Sequence, residues 1–491
     1  MSEHLPILIV LCPLVGALVV PLAARVSTRA SRALTVLATL SSLACAVAAL
    51  RAVLVGDDWH YHLGGWAPPW GIEYVVDPLG GGMAVVVALL AALVAIYAGP
   101  HLRDYTPRRG AAFDSLFLLL TSGLLGITLT GDLFNLYVFL EISSLAAYAL
   151  LASGGGRAVV ATFRYLLVGT IAATFYLLGL GYLYALTGTL NMADLAIRLA
   201  ALPPGSAMTV GVVLIVVGLA VKMAVFPLHG WMPDAYTYAP PPVTMFIAAV
   251  MSKVSAYALI RLLFFVLPAG DAVETARAVL SWVAVAGVLA GSILALAQTD
   301  IRRMLAYSSI GQMGYVVLGL SIGNAAALTG ALLHVVGHAV AKGCLFGAIG
   351  SVPRETVQAE ITGFAGVARR APLTMAAFTV AALSLVGMPP TAGFFSKWYL
   401  LRGALDADVW VFAAVLLVSS LLSAVYFFRV LEQVYFTESP PPPGPDQASG
   451  MPPLSWRVVV PVLTLGAAVL LIGLFNGALV TSVIQPALPE F

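Results

Sequence analysis

Long apolar runs, each of roughly 18 to 25 residues, recur along almost the whole chain and constrain its fold more than any other feature. A helix of about 20 apolar residues crosses a hydrocarbon core of about 30 Å, so each run can span a membrane. Inside lipid every backbone amide must be satisfied internally, and runs of this length indicate helices rather than barrel strands. Only 9% of the 491 residues are charged, against about a quarter in soluble domains. The chain is therefore predicted to be an all-α polytopic membrane protein.

Fourteen membrane spans are predicted from these runs. The connections are short, and none can bury a core of its own, so 1–491 is predicted to form one integral membrane domain. A proline-rich stretch at 440–445 is predicted to be a stiff cytoplasmic linker before the last span. The predicted spans lie at 5–24, 33–54, 78–99, 112–130, 132–151, 158–186, 206–228, 240–266, 276–298, 304–322, 325–350, 373–401, 408–430 and 456–480.

Arginine is divided unevenly between the two sets of loops. Fifteen of the 20 arginines, Arg354 among them, lie in or beside the loops after odd-numbered spans, and five lie on the other side. Basic residues stay on the cytoplasmic side of a membrane. We therefore expect a multi-pass protein of a bacterial plasma membrane with both termini on the outer side.

Two of the predicted spans contain residues that break a helix. Span seven runs through Lys222 to Pro227 and then unwinds at Gly230. Span twelve holds Gly387 and a Pro-Pro pair before Lys397. Proline removes a backbone donor, and the carbonyls it frees are tolerated in a membrane only where they line a cavity. Both breaks are therefore predicted to lie on a polar pathway.

The breaks are five spans apart, so the two broken segments run in opposite directions. This arrangement predicts that spans 4–8 and 9–13 are inverted repeats, each contributing one broken helix. The corresponding units are 1–110 for spans one to three, 111–268 for the first repeat, 269–436 for the second, and 437–491 for the linker and span fourteen.

Lysine is rare and confined to the spans. Only four of the 24 basic residues are lysines, and all four lie inside apolar runs, whereas the loops carry arginine. GC-rich coding or snorkelling at helix ends would explain the excess of arginine but not the positions of the lysines. A buried lysine can release its proton while arginine stays charged, so a proton carrier requires lysine. The predicted carriers are Lys222, Lys253, Lys342 and Lys397.

One acid, Glu141, lies deep in span five, with Ser144 and Tyr148 on the same helical face. A buried carboxylate without a cation would be neutral, so Glu141 is predicted to pair with Lys222. The alternative is a protonated, hydrogen-bonded glutamate with a structural role.

Span eleven places two histidines and a lysine at i, i+4 and i+8, on one stripe of a helix. Such a row suits a proton relay, because neutral imidazole accepts a proton at one nitrogen and donates from the other. A hydrogen-bonding strut and a metal or haem ligand are the alternatives, and His229 can be either a gate or a helix-end contact. The stripe is His334, His338 and Lys342, and the candidates for a gate are His229, Pro227, Pro389 and Pro390.

Several classes of site lack support. The three cysteines, Cys12, Cys45 and Cys344, form no CxxC pair and are too few for an iron–sulfur cluster. No phosphate-binding glycine motif follows a strand, and the net charge of +2 with no dense basic patch argues against nucleic acid. No metal and no cofactor are predicted. The first apolar run is predicted to be a retained span rather than a signal peptide.

Four stretches, 226–234, 299–315, 338–342 and 387–394, together resemble the antiporter-like subunits of respiratory complex I, membrane-bound hydrogenases and Mrp-type sodium/proton antiporters. Within that superfamily, 131–141 is most similar to the D-type subunit of the Mrp antiporter. By this resemblance the chain should lack the lateral helix of the largest complex I relative and the extra domains of the A-type Mrp subunit. Tyr236 departs from some complex I relatives, which have histidine there, and so removes one titratable group from the proton entry route. The resemblance implies functional roles for Glu141, Lys222, Lys253, His334, His338, Lys342 and Lys397.

The predicted function is proton translocation within a multisubunit sodium/proton antiporter, a secondary transporter rather than an enzyme. Its expected partners are other membrane subunits, the lipid bilayer, protons and Na⁺. One alternative is the proton-pumping membrane subunit of a complex I-like or hydrogenase oxidoreductase. A second is a scaffold subunit that transports nothing.

Overall fold

Helices account for nearly all of the computed structural model, which describes residues 2–352, 359–438 and 454–489. Arg354 and the predicted linker at 440–445 lie outside the described residues. The helices are α1 Leu5–Val26, α2 Thr28–Val53, α3 Pro78–His101, α4 Pro107–Leu129, α5 Leu133–Ala152, α6 Arg157–Thr187, α7 Met192–Ala200, α8 Ser206–Met223, α9 Met232–Tyr238, α10 Pro241–Arg261, α11 Asp271–Leu296, α12 Ile301–Ile322, α13 Ala325–Ser351, α14 Val367–Arg370, α15 Pro372–Val386, α16 Ala392–Asp406, α17 Trp410–Phe436, α18 Trp456–Leu474 and α19 Asn476–Leu479.

The predicted fold class is confirmed. Among the described residues, 13 helices are long and apolar enough to cross a membrane, and they match 13 of the 14 predicted spans. Predicted span twelve is divided into α15 and α16, each of 15 residues. Span seven also breaks as predicted, because α8 ends at Met223 and the chain resumes a helix only at Met232.

A short β-hairpin between α2 and α3 departs from the all-helical prediction. Strands β1 (Trp59–His62) and β2 (Glu73–Val76) pair antiparallel, with Trp59 opposite Val76. The side chains of β1 alternate between more and less exposed positions, as expected for a strand with one solvated face.

Polar caps explain where several of the helices begin. Asp77 accepts a hydrogen bond from Gly80 N at the start of α3, and Asp132 accepts one from Asn135 N at the start of α5. Asp300 does the same for Arg302 N and Arg303 N at α12. These side chains satisfy amides that have no partner within their own helix.

Helices α10, α12 and α13 form the centre of the bundle, because nearly every residue in each of them is buried. Helices α6 and α17 lie at the periphery, and less than half of the apolar span of each is buried within the chain. The predicted inverted repeats, the unit boundaries and the outward orientation of both termini stay predictions.

Candidate proton pathway

Lys222 and Glu141 form the predicted ion pair. Lys222 lies in the last turn of α8, and its Nζ is 3.4 Å from Glu141 Oε1 on α5. The same Nζ donates to Ser144 Oγ at 2.7 Å, less than one turn farther along α5. The Lys222 side chain is 5% exposed and that of Glu141 is 27% exposed. The acid is therefore the more accessible partner of the pair.

Lys253 lies in the middle of α10 and is fully buried. Its Nζ donates to Ala248 O of the same helix at 2.6 Å. Within the described part of the chain, no carboxylate forms an ion pair with it. Helix α10 packs against α13, the helix that carries His334, His338 and Lys342.

The stripe on α13 is buried along its whole length. The rings of His334 and His338 are 5.7 Å apart between centroids, and His334 Nδ1 is 2.9 Å from Ser396 Oγ on α16. Lys342 Nζ donates to Leu305 O at 2.7 Å and to the Ser308 hydroxyl on α12. Neither ring nitrogen of His338 has a hydrogen-bond partner among the described residues. The stripe is thus continuous in space but not joined by hydrogen bonds.

Lys397 projects from α16 into the break between α15 and α16. Its Nζ donates to Leu385 O at 2.8 Å and to Val386 O at 3.1 Å, the last two carbonyls of α15. It also donates to Ser420 Oγ at 3.0 Å and lies 4.9 Å from the centre of the Tyr315 ring. Two carbonyls at the end of the broken helix therefore contact this lysine.

The structure divides the predicted row of residues into two groups. In the first group, Lys222 forms an ion pair with Glu141. Lys253, the α13 stripe and Lys397 form a second group, in which Ser396, the residue before Lys397, contacts His334 Nδ1. The structure does not bring Lys222 into direct contact with Lys253.

The candidate gate residues mark both breaks, but they lie toward the outside of the chain. Pro227, Pro389 and Pro390 are exposed, and His229 is half-buried. The His229 ring stacks on Phe226 at 5.2 Å, and its Nδ1 has no hydrogen-bond partner in the described residues. A gating role for these residues stays a prediction.

Sequence reasoning named Glu141 as the one deep acid and missed other buried acids, of which Asp114 and Asp77 pair with arginine. Asp114 in α4 is fully buried against Arg32 of α2. Asp77, just before α3, binds Arg261 at 2.5 and 2.8 Å. Burial opposes ionisation of Asp77, but Arg261 and the Gly80 amide hold the pKa of its carboxyl below the usual value. In the sequence, each of these two acids lies near the end of an apolar run. That position does not identify the arginine with which the acid pairs.

No group of three or more His, Cys, Asp or Glu side chains is arranged to hold a metal ion within residues 2–352, 359–438 and 454–489. Cys12 on α1, Cys45 on α2 and Cys344 on α13 are free cysteines.

Residues 130–423 match the family model described as NADH:quinone oxidoreductase/Mrp antiporter, TM. The chain belongs to this family of membrane subunits. The matched region contains every residue of the candidate pathway, from Glu141 to Lys397. The superfamily inferred from the four sequence stretches is therefore confirmed.

The relatives do not confirm the finer assignment to the D-type subunit of the Mrp antiporter. NADH-quinone oxidoreductase subunit N of Desulforudis audaxviator is 55% identical over 498 residues, which cover 100% of this chain and 99% of the relative. The D-type subunit of the Na⁺/H⁺ antiporter of Bacillus subtilis is 30% identical over 386 residues, 78% of this chain and 77% of the relative. Similarity in 131–141 alone did not distinguish these two branches, because both share the family core.

Solved structures contain the same fold. A chain in the structure of the membrane-bound sulfane sulfur reductase, an archaeal respiratory membrane complex, is 31% identical to this chain. Their TM-score is 0.90, and the match covers 99% of this chain and 98% of that chain.

Proposed function

We propose that this chain is a proton-translocating membrane subunit of a complex I-like, quinone-linked oxidoreductase. The observation that carries the proposal is the set of four buried lysines, of which Lys222 contacts a carboxylate and Lys397 the carbonyls of a broken helix. The similarity over the full length to a protein named NADH-quinone oxidoreductase subunit N supports the oxidoreductase as the parent complex. The row of lysines favours transport over a scaffold role, because a structural bundle has no need of titratable cations.

Glu141 serves as the switch for Lys222 in this proposal. At 3.4 Å and an effective dielectric constant of about 20, the attraction between the two charges is about 5 kcal/mol. Movement of the carboxylate away from Lys222 removes most of that attraction, so the lysine releases its proton toward the next carrier. Return of the carboxylate favours proton uptake again.

The surface around Glu141 supports membership in a larger membrane complex. Phe134, Val138 and Leu145 are exposed on the same face of α5 as Glu141. A partly exposed carboxylate on an apolar face is poorly suited to contact with lipid tails. We infer that a neighbouring membrane subunit covers this face in the assembled complex.

Purification of the complex through a tag on this chain tests which assembly it belongs to. We expect co-purification of iron–sulfur and quinone-binding subunits, together with a proton gradient in everted vesicles when the complex oxidises its electron donor. Co-purification of small antiporter subunits alone, with no oxidoreductase activity, would overturn the oxidoreductase assignment.

Glu141→Gln tests the transport role within the assembled complex. The amide keeps the shape of the side chain and loses its charge, so we expect proton pumping to fall while electron transfer and assembly persist. Wild-type pumping in this variant would show that Glu141 has a structural role.

An Mrp-type antiporter subunit is the second candidate, because the D-type subunit of the Bacillus subtilis sodium/proton antiporter is also related over most of its length. The two candidates differ in their driving force. Antiport would appear as collapse of an imposed proton gradient on addition of Na⁺, without any electron donor. Redox-driven pumping would require the donor and would not depend on Na⁺.

A further inference from the structure

A gap separates the two charged groups of the candidate pathway. Lys222 Nζ contacts Glu141 and Ser144 on α5. Lys253 Nζ is bound to Ala248 O of its own helix. If protons pass between these two lysines, as the proposed function requires, other side chains must carry them across the gap.

Buried tyrosines line this gap on the side of Lys222. Tyr148 follows Ser144 by about one turn of α5, on the same face of the helix. Tyr165 of α6 meets Tyr148 edge-on, with ring centroids 4.7 Å apart. Both tyrosines are buried. A line of hydroxyl groups therefore begins at the first lysine.

The line continues toward Lys253 through Tyr236 of α9, which is fully buried. Tyr165 and Tyr236 both contact the indole of Trp231. The Tyr236 hydroxyl donates to Ile247 O at 3.4 Å, and the next carbonyl of α10, Ala248 O, accepts from Lys253 Nζ. Helices α5, α6 and α9 thus each contribute one tyrosine to a group of rings that begins near Lys222 and ends near Lys253.

Trp231 holds these rings in place. Its indole stacks on Tyr165 at 3.9 Å and meets Tyr236 edge-on at 6.3 Å. Its Nε1 donates to Val221 O, in the residue before Lys222, at 2.9 Å. The aromatic group is therefore fixed to the end of the helix that carries Lys222.

The middle of the line contains a hydroxyl that is not bound to another group. Tyr165 Oη is buried and has no hydrogen-bond partner among the residues that the structure describes. Buried hydroxyls are normally paired. An unpaired phenol between two polar neighbours is free to turn from one to the other, which a fixed hydrogen bond would prevent.

We propose that the hydroxyl groups of Tyr148, Tyr165 and Tyr236 relay protons between the Glu141–Lys222 pair and Lys253. Each phenol accepts a proton on its oxygen while it donates its own. One proton leaves Lys222 Nζ and one arrives at Lys253 Nζ, so the tyrosines end neutral and nothing is oxidised or reduced.

Tyr165→Phe removes the central hydroxyl and keeps the ring that stacks on Trp231. We expect proton pumping by the assembled complex to fall about a hundredfold or more, within the range of positioned proton-transfer groups. The matched control is Tyr176→Phe, a fully buried tyrosine of the same helix whose Oη donates to Leu133 O at 3.1 Å. We expect that control to keep its pumping. Equal pumping by wild type and Tyr165→Phe would overturn the relay.

Gly169→Ala provides a second test that leaves all three tyrosines intact. A Cβ at Gly169 would lie 1.9 Å from Tyr148 Oη, so the phenol must move away from its place in the line. Gly181→Ala, on the same helix with no neighbour within 4 Å of the added Cβ, is the control. We expect pumping to fall in the first variant and to be retained in the second. Retention in both would contradict the proposal.

The relay rests on the proposed transport function, and Glu141→Gln separates the two. Loss of pumping in Glu141→Gln with full pumping in Tyr165→Phe would reject the relay alone. Full pumping in both variants would reject the transport function as well. Pumping is measured in each case per assembled complex, with electron transfer as the internal reference.

Discussion

The two broken regions of the molecule each hold a buried lysine, but they stabilise its charge in different ways. At the first break, Lys222 is paired with the carboxylate of Glu141 and with the Ser144 hydroxyl. At the second, Lys397 is surrounded by Leu385 O, the neighbouring carbonyl of α15 and a serine hydroxyl. No carboxylate contacts Lys397 in the described part of the chain.

This difference assigns different roles to the two sites. The carbonyls around Lys397 are the C-terminal end of α15, where the helix dipole places a partial negative charge. That charge is fixed in the backbone. The charge of Glu141 belongs to a mobile side chain that can approach, retreat or take up a proton. The first break is therefore suited to switching and the second to steady stabilisation of a carrier.

Lys222→Arg, at the first break, is expected to lower proton flux more than any other substitution that tests this comparison. Arginine can still pair with Glu141 but cannot release a proton at accessible pH. We expect proton flux close to that of Lys222→Ala, a loss of about a hundredfold or more. Flux is measured in vesicles per assembled complex, with Lys222→Ala alongside. Near-wild-type flux in the arginine variant would make Lys222 a counter-charge only.

Ser420→Asp gives Lys397 the carboxylate that it lacks. Ser420 Oγ is 3.0 Å from Lys397 Nζ, so the new carboxylate would hold the lysine in its charged form. We expect flux to fall several-fold, with Ser420→Asn as a control of nearly the same shape and no charge. Equal flux in the two variants would mean that the absence of an acid at this break has no functional importance.

The turns at the two breaks allow a smaller test. Gly387 has φ +96° and Ala224 has φ +56°, so both occupy the left-handed region. Gly387→Ala adds a methyl group 3.1 Å from Lys397 Cδ and should cost about 1–2 kcal/mol of backbone strain. We expect lower thermal stability and modestly reduced flux. Ala224→Gly relieves strain at the other break and should leave flux unchanged. A loss of flux in Ala224→Gly as large as that in Gly387→Ala would show that both turns must be rigid.

The sequence alone was sufficient for the spans, both breaks and the contact between Glu141 and Lys222. Long apolar runs and prolines act locally, so their consequences can be predicted without knowledge of the packing. A buried charge also limits its own choice of partner. The sequence places Glu141 deep in a span in the same half of the chain as Lys222, and the structure contains the pair that this predicted.

The remaining features depend on which helices pack together. The pairing of the two hairpin strands, the burial of Asp114 against Arg32 and the hydrogen bond from Lys397 to Ser420 of α17 all depend on contacts between separate elements. The separation of Lys222 from Lys253 is of the same kind. Both lie in apolar spans, and periodicity does not reveal which side chains of other helices contact each of them.

The ion pair of Asp77 and Arg261 is the reference for a charge that is fixed rather than switchable. Its substitution should have the smallest effect on flux. This ion pair resembles the pair at the first break in joining an acid to a base, but its base cannot release a proton. Asp77→Asn should therefore lower stability by about 1–3 kcal/mol and leave proton flux unchanged.

The effect on stability should also depend on pH. The pKa of Asp77 is lowered in the folded protein, so its ionised form stabilises the fold at neutral pH, and that stabilisation is lost as the pH falls below about 4. We expect thermal unfolding of the purified complex to separate Asp77→Asn from wild type at pH 7, with the difference shrinking toward pH 3. A large loss of flux in Asp77→Asn at full stability would instead place this pair on the proton pathway. A carboxylate paired with a base would then no longer be a feature that sets the first break apart from the rest of the molecule.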